Sequence, residues 1–268
     1  MIEISVIMAV YNIGDRDILK LAVESILDQS FKDFELIICD DCSTDHSFEV
    51  LRELAGKDGR IVLLRNEVNI KSGGARNRCL EAAKGNFIAI MDADDYSSPD
   101  RLEKQLAFLQ SNMKYAFVGC KGQYFKYSPG DNEENYWYCS CPQKQDFLMT
   151  LPFVHASLMF RKDALQKIKG YRTIKQVTRS EDYDMLMRLY AAGYTGANID
   201  KVLYYIRQDN NTFKRRKYRY RFCECFVKWH GFAQMGLMPK GVFYAIKPLI
   251  VGLIPAGLLN RLKNRYYK

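Results

Sequence analysis

Residues 86–95, NFIAIMDADD, decide the fold. Phe87 to Met91 form an unbroken apolar run, as expected of a strand buried on both faces of a sheet. Asp92, Asp94 and Asp95 follow within four residues, and such a cluster at a buried strand's end repels itself unless a cation or hydrogen-bond donors offset it. The same motif of apolar run and polar cluster occurs twice upstream. Residues 3–9 (EISVIMA) lead into Tyr11 and Asn12, and 34–39 (FELIIC) lead into DDCSTD, Asp40 to Asp45. Between these runs, Ile18, Leu19, Ala22, Ile26 and Leu27 fall at helical spacing over 17–28. A helix over about 44–54, a strand near 61–65 and a helix over Gly74 to Ala83 complete the alternation. It predicts an α/β fold with a mostly parallel sheet and helices on both faces. Ligands of such sheets bind beyond the carboxyl ends of the strands, where these polar clusters lie.

Downstream, Ser97 and Ser98 before Pro99 mark a helix start, giving a helix over 99–111. Residues 113–150 are rich in Tyr, Phe and Cys, with short strands expected near 115–120 and 134–140. Helices are expected at 161–169 and 181–192 and a strand at 201–206. With 268 residues, 48% hydrophobic and 26% charged, the chain can bury a full core and disorder is excluded. The opening MIEISVIMAV lacks the basic flank of a signal peptide and reads as the first strand. The eight cysteines include one C-x-x-C (Cys39, Cys42) with no second pair of that spacing, so free thiols in a reducing compartment are expected.

Charge is unevenly placed. Residues 207–268 carry fourteen Lys and Arg against two Asp and Glu, a balance of +12 in a chain of net +9, so the rest carries −3. A basic segment on a near-neutral body is expected to meet a polyanion. KRRKYRYR (214–221) could attract nucleic acid, but no nucleic-acid motif accompanies it. The apolar run 242–259 has no role in that account, so nucleic acid is not the expected partner. That run is interrupted by Lys247, Pro248 and Pro255 and bordered by Arg261, Lys263, Arg265, Tyr266 and Tyr267. It suits attachment at a membrane surface better than a crossing.

The chemistry-bearing residues are oxygen-rich. Hard carboxylates such as those of Asp92 and Asp94 suit Mg²⁺ or Mn²⁺ bridging a diphosphate, although a solvated turn with Asp95 capping the next helix gives the same letters. Gly73 and Gly74 permit close backbone approach before a helix, and Arg76 can reach a phosphate or the acidic cluster. Asp182, in SEDYD, opens a helix and is either a cap or a proton acceptor. His155, among apolar residues, is either a hydrogen-bonded core group or a ligand contact.

In order, the blocks SVIMAVYN, DDCSTDHS, NIKSGGARN, FIAIMDADD and SEDYDMLMRL resemble glycosyltransferase family 2 over residues 3 to about 207. That resemblance implies a GT-A fold with a Rossmann-like sheet, a nucleotide-diphospho-sugar donor, a divalent ion (Mn²⁺ or Mg²⁺) and inversion at the anomeric carbon. By position it assigns Asp41 to the nucleotide base, with Ala9 and Tyr11 walling its pocket. Asp92 is assigned to the ribose and metal, and Asp94 to the metal. Arg76 is assigned to the donor phosphates or the acidic cluster, and Asp182 to the general base with Glu181 as its near alternative. His155 falls near donor or acceptor. Arg207 matches a position in a loop that closes over the diphosphate, although Gln208 and the Asn210-Asn211-Thr212 run depart from the usual histidine and serines there.

The implied organisation is a catalytic domain over 1–210, with a nucleotide-binding half (1–112) and an acceptor-binding half (113–210), then a helical membrane-associating region at 211–268. The resemblance further implies a UDP-sugar donor, a lipid-linked saccharide or polysaccharide acceptor, and work at the cytoplasmic face of the bacterial inner membrane in surface polysaccharide assembly. Two alternatives use related parts. A sugar-phosphate nucleotidyltransferase would carry a Gly- and Arg-rich loop where this chain has AVYNIGDRD. A non-catalytic nucleotide-sugar-binding protein would bind without turnover.

Overall fold

The apolar runs alternate in which face they bury, and this alternation builds two cores. Ile4, Val6 and Met8 face one side of the sheet and Ile7 the other; Leu36 and Ile38 oppose Ile37; Ala89 and Met91 oppose Ile88 and Ile90. The computed structural model describes residues 2–132, 134–136, 138–208 and 218–253. Strands β1 (Ile4–Val10), β2 (Phe34–Asp40), β3 (Ile61–Arg65) and β4 (Phe87–Asp92) pair in parallel in the order β3-β2-β1-β4. Helices α1 (Arg16–Leu27), α2 (Ser47–Ala55) and α4 (Arg101–Ser111) supply the first core. Helices α3 (Lys71–Ala82), α5 (Lys162–Lys167) and α6 (Glu181–Ala191) pack into the second.

The sheet continues past β4 through the second half of the chain. Its eight strands run β3-β2-β1-β4-β7-β6-β8-β5, with β5 (Tyr96–Ser97), β6 (Phe117–Phe125), β7 (Met159–Arg161) and β8 (Gly196–Arg207). β7 is antiparallel to both β4 and β6, whereas β6 and β8 are parallel across an irregularity at Cys120–Gly122. One continuous sheet therefore joins the two halves expected from the sequence.

Two expectations are corrected. Between 134 and 140, the described residues form no strand, and Asn135 makes only an isolated bridge to Gln123. The helix expected from 161 starts at Lys162, because Met159–Arg161 is used as β7. The basic segment folds from Arg219 to Gln234 as helix α7, which packs on α6 and on the 175–177 turn. Its antiparallel neighbour α8 (Gly241–Gly252) packs along α7 and accommodates Pro248. Among the described residues, no helix is long and apolar enough to cross a membrane. Arg261, Lys263, Arg265, Tyr266, Tyr267, residues 214–217 and the 210–212 run lie outside the described residues.

Candidate active site

The parallel strands all end at one edge, and the sequence has placed its polar residues there. β1 ends beside both neighbours: Ala9 is in register with Cys39 of β2 and with Asp92 of β4. Asn12 follows with φ of 48°, a left-handed conformation that asparagine tolerates better than most residues. Its side-chain oxygen accepts from Thr44 N at 2.8 Å and its own N–H donates to Ser43 Oγ at 3.1 Å, tying the exits of β1 and β2 together.

Asp41 is buried just beyond β2. Its Oδ1 accepts from Asn66 Nδ2 at 2.7 Å and from Ile70 N at 2.9 Å, so the loop before α3 folds onto it. A cavity of about 460 Å³ opens beside it, lined among others by Tyr11, Asp41, Ile70, Arg172, Arg179 and Glu181. The glycines have a packing reason: a Cβ on Gly74 would stand 2.9 Å from Ile70 Cγ1, and one on Gly73 would stand 3.4 Å from Tyr171 Cβ. The close approach is thus to those side chains and holds the cavity wall in place.

The acidic turn after β4 is clamped from several directions. Arg76, only 8% exposed, donates to Asp92 Oδ1 at 2.7 Å and lies over the Tyr171 ring. Burial alone would lower its pKa, but Asp92, Tyr171 and Glu181 raise it, so it stays a cation. Asp95 turns inward. Its Oδ1 accepts the Arg207 N–H at 2.8 Å, and burial followed by repulsion from Asp94 and Asp92 holds its pKa well above the usual carboxylate range. Tyr204 also bonds Asp95 and accepts the Asp92 N–H at 3.2 Å. Arg207 ends β8 rather than standing in a free loop. Its Nε donates to the Asp94 carbonyl at 2.8 Å and its guanidinium stacks on Phe125.

At the far wall of the site, α6 starts with Glu181 and Asp182 while Ser180 holds the cap position without a side-chain cap bond. Asp182 Oδ1 accepts the Tyr183 N–H at 2.8 Å. Burial, then Glu181, push its pKa up to about 6, against the lowering effect of that N–H and of Arg76. Glu181 Oε1 accepts from Ser72 Oγ across the cavity, and its Oε2 is buried without a hydrogen-bond partner. Asp184 is structural, held between Arg188 Nε at 2.7 Å and Arg172 Nη1 at 3.1 Å. His155 Nε2 pairs with the Tyr171 hydroxyl at 2.9 Å; burial, then Arg76, push its pKa down to about 3, so the ring is neutral.

The structure therefore brings together Ala9, Arg76, Asp92, Asp94 and Arg207 at the β4 exit, and Tyr11, Asp41 and Glu181 around the cavity. Arg76 electrostatically couples Asp92 to Glu181, Asp182 and His155. Sequence reasoning missed Asn66, Ser72, Tyr171, Arg172 and Tyr204. Each acts on a residue far away in the chain, and none carries a local signal.

The donor chemistry fits one kind of cation. Among the described residues, no group of three or more His, Cys, Asp or Glu is placed to hold a metal by itself. Asp94 is exposed and the Asp92 side chain is 36% exposed, so these two hard carboxylates can offer oxygen to an ion whose remaining ligands come from a diphosphate and water. Burial first, and then repulsion from Asp94 and Asp92, raises the Asp95 pKa, and a cation at this turn would offset the second of these.

A twisted sheet, flanked by helices on both faces and with acidic residues at the exits of its parallel strands, defines a GT-A glycosyltransferase fold. The chain spans 98% of its own length and 79% of the other chain in superposition on S. aureus TarS 1-349 in complex with UDP-GlcNAc, with TM-score 0.71 and 18% identity. Residues 5–169 match Glycosyl transferase family 2, and the protein belongs to that family. EpsE of Bacillus subtilis (strain 168) is 35% identical over 260 residues, 97% of this chain and 92% of EpsE. The Escherichia coli UDP-Glc:alpha-D-GlcNAc-diphosphoundecaprenol beta-1,3-glucosyltransferase WfaP is 29% identical over 228 residues, 81% of each chain.

Proposed function

We propose that this glycosyltransferase transfers a sugar, with inversion, from a nucleotide-diphospho-sugar to a lipid-linked saccharide or polysaccharide acceptor in bacterial surface polysaccharide synthesis. A UDP-sugar is the favoured donor. The observation that carries the reading is the juxtaposition at one sheet edge of a buried Asp41 beside a cavity, an Arg76–Asp92 pair and a carboxyl, Asp182, poised near neutrality. The neighbouring fold supports it, as does WfaP, whose name records a UDP-sugar donor and a diphospholipid-linked acceptor.

In this reading Asp41 binds the base, with Tyr11 and Ala9 walling its pocket. Arg76 and Arg207 hold the charge of the diphosphate, and His155 orients Tyr171 beneath Arg76. Asp182 takes the proton of the acceptor hydroxyl as that oxygen bonds to the anomeric carbon. The bond from that carbon to the diphosphate oxygen breaks on the opposite side, which inverts the centre. Mn²⁺ or Mg²⁺, held by Asp94 and Asp92 together with the diphosphate, would supply positive charge against the departing oxygen. The test is thermal melting. UDP with Mn²⁺ raises the melting temperature of the native chain, and Asp94→Ala removes most of the shift. An equal shift in the variant would exclude the metal role.

The same reading places the protein on the cytoplasmic membrane surface. α8 presents Phe243, Ile246 and Ile250 to solvent on one face, continued by Leu253 just past its end, and α7 presents Phe222 and Trp229. The basic C-terminal region then meets anionic headgroups. Deleting α8 is a poor test, because Ala245 and Pro248 are buried against the body. Replacing Phe243, Ile250 and Leu253 with Ser should instead release the folded chain from anionic vesicles; undiminished sedimentation with vesicles would move the attachment elsewhere.

A further inference from the structure

A chain of hydrogen bonds stands behind Asp41. Asn66, buried at the end of β3, donates from Nδ2 to Asp41 Oδ1, and its Oδ1 accepts from Arg78 Nη1 at 2.6 Å. Arg78 Nη1 also donates to the Arg65 carbonyl at 3.1 Å, and the Asn66 N–H donates to the Asp40 carbonyl at 2.8 Å. A guanidinium has donors only, so the amide oxygen of Asn66 must face Arg78 and its NH₂ must face Asp41. Ile70 N donates to the same carboxylate oxygen. Both donors converge on Oδ1, which leaves Oδ2 for a ligand in the cavity that Asp41 lines.

We infer that Asn66 and Arg78 are positioning residues that set base selectivity: by saturating one oxygen of Asp41 they favour a pyrimidine imide, uracil or thymine, over guanine. The inference rests on the nucleotide-sugar reading above. A uracil ring presents a single N–H between two carbonyl oxygens, and one carboxylate oxygen satisfies it. The donors already on Oδ1 also turn that oxygen's charge away from the ring carbonyls. Guanine presents two adjacent N–H groups that ask for both carboxylate oxygens, and here one of them finds Oδ1 occupied. Cytosine and adenine turn a bare acceptor nitrogen toward the carboxylate and are repelled. A site built to satisfy a ligand's polar group discriminates strongly against a ligand that leaves a buried group unpaired.

Titration calorimetry of the full chain with UDP and with GDP, at fixed Mn²⁺, tests this. The native chain should bind UDP at least about tenfold more tightly than GDP, the loss expected for one buried unpaired group. In Asn66→Ala and in Arg78→Gln, UDP should weaken by about tenfold and the preference should shrink to within about threefold. Arg78 is exposed, so Arg78→Gln, with its melting temperature checked, serves if Asn66→Ala does not fold. A purely structural role would weaken both nucleotides equally and leave their ratio intact, and that outcome overturns the inference. Equal binding of UDP and GDP by the native chain overturns it too, while the transferase reading stands. A native chain that binds neither nucleotide overturns both.

Discussion

Asp95 after β4 and Asp182 at the start of α6 are both carboxyls raised by burial and by an acidic neighbour, yet they differ in what they have left to bond. Asp95 is spent on the Arg207 N–H and on Tyr204, and its work is to fix the turn that presents Asp92 and Asp94. Asp182 receives only backbone N–H groups, that of Tyr183 on Oδ1 and its own, and sits at about 6, within reach of the working pH of a cell. Burial beside a like charge therefore does not by itself make a proton acceptor. The unspent bonding capacity separates these carboxyls, and environments that drive such groups apart mark their roles.

The strongest break of this comparison is Asp182→Asn. It should lower kcat by roughly 10²- to 10⁴-fold, the range of a positioned general base, while UDP binding is retained. A variant with native turnover would leave the base elsewhere and would favour Glu181. An unmeasurable native turnover with sound UDP binding would point to the non-catalytic alternative.

A smaller effect sharpens the contrast. Asp182 must be ionised to take a proton, so kcat/KM should be flat above about pH 6 and fall about tenfold per pH unit below it. Because Glu181 is the second cause of the raised value, Glu181→Gln should move that limb to lower pH, toward the ordinary carboxylate range. His155, already neutral across this window, should add no inflection, and His155→Gln should keep the native limb. A limb that ignores Glu181→Gln would assign the titration to another group.

Much of this was legible in the chain because β1, β2 and β4 are largely apolar runs, broken only by Ser5 and Glu35, that end abruptly in polar residues. Their existence, their parallel pairing and the polar groups at their exits follow from that pattern, whereas the order of the strands in the sheet does not. β7 was illegible: three residues are too few for a period, and the helix that follows claims Arg161 by composition. The opening of β8 was hidden because Asn198 and Asp200 interrupt its pattern; Asn198 is there to bond the Cys139 and Pro152 carbonyls. The aromatic stretch near 134–140 has strand composition, but its described residues make only one bridge, so propensity lost to context. In the site, carboxylates and glycines announced themselves. Ser72, Tyr171 and Tyr204 did not, because a hydroxyl's role depends on a partner that the fold alone brings near.

Strands β1 to β4 all discharge at the same rim, so, Glu181 and Asp182 of α6 apart, most candidate site groups belong to strand termini and the loops just beyond them, whereas bulk stability belongs to the two layers beneath. Substitutions deep in either layer can accumulate while the rim keeps its shape. The chain accordingly keeps the fold of TarS while fewer than one residue in five matches.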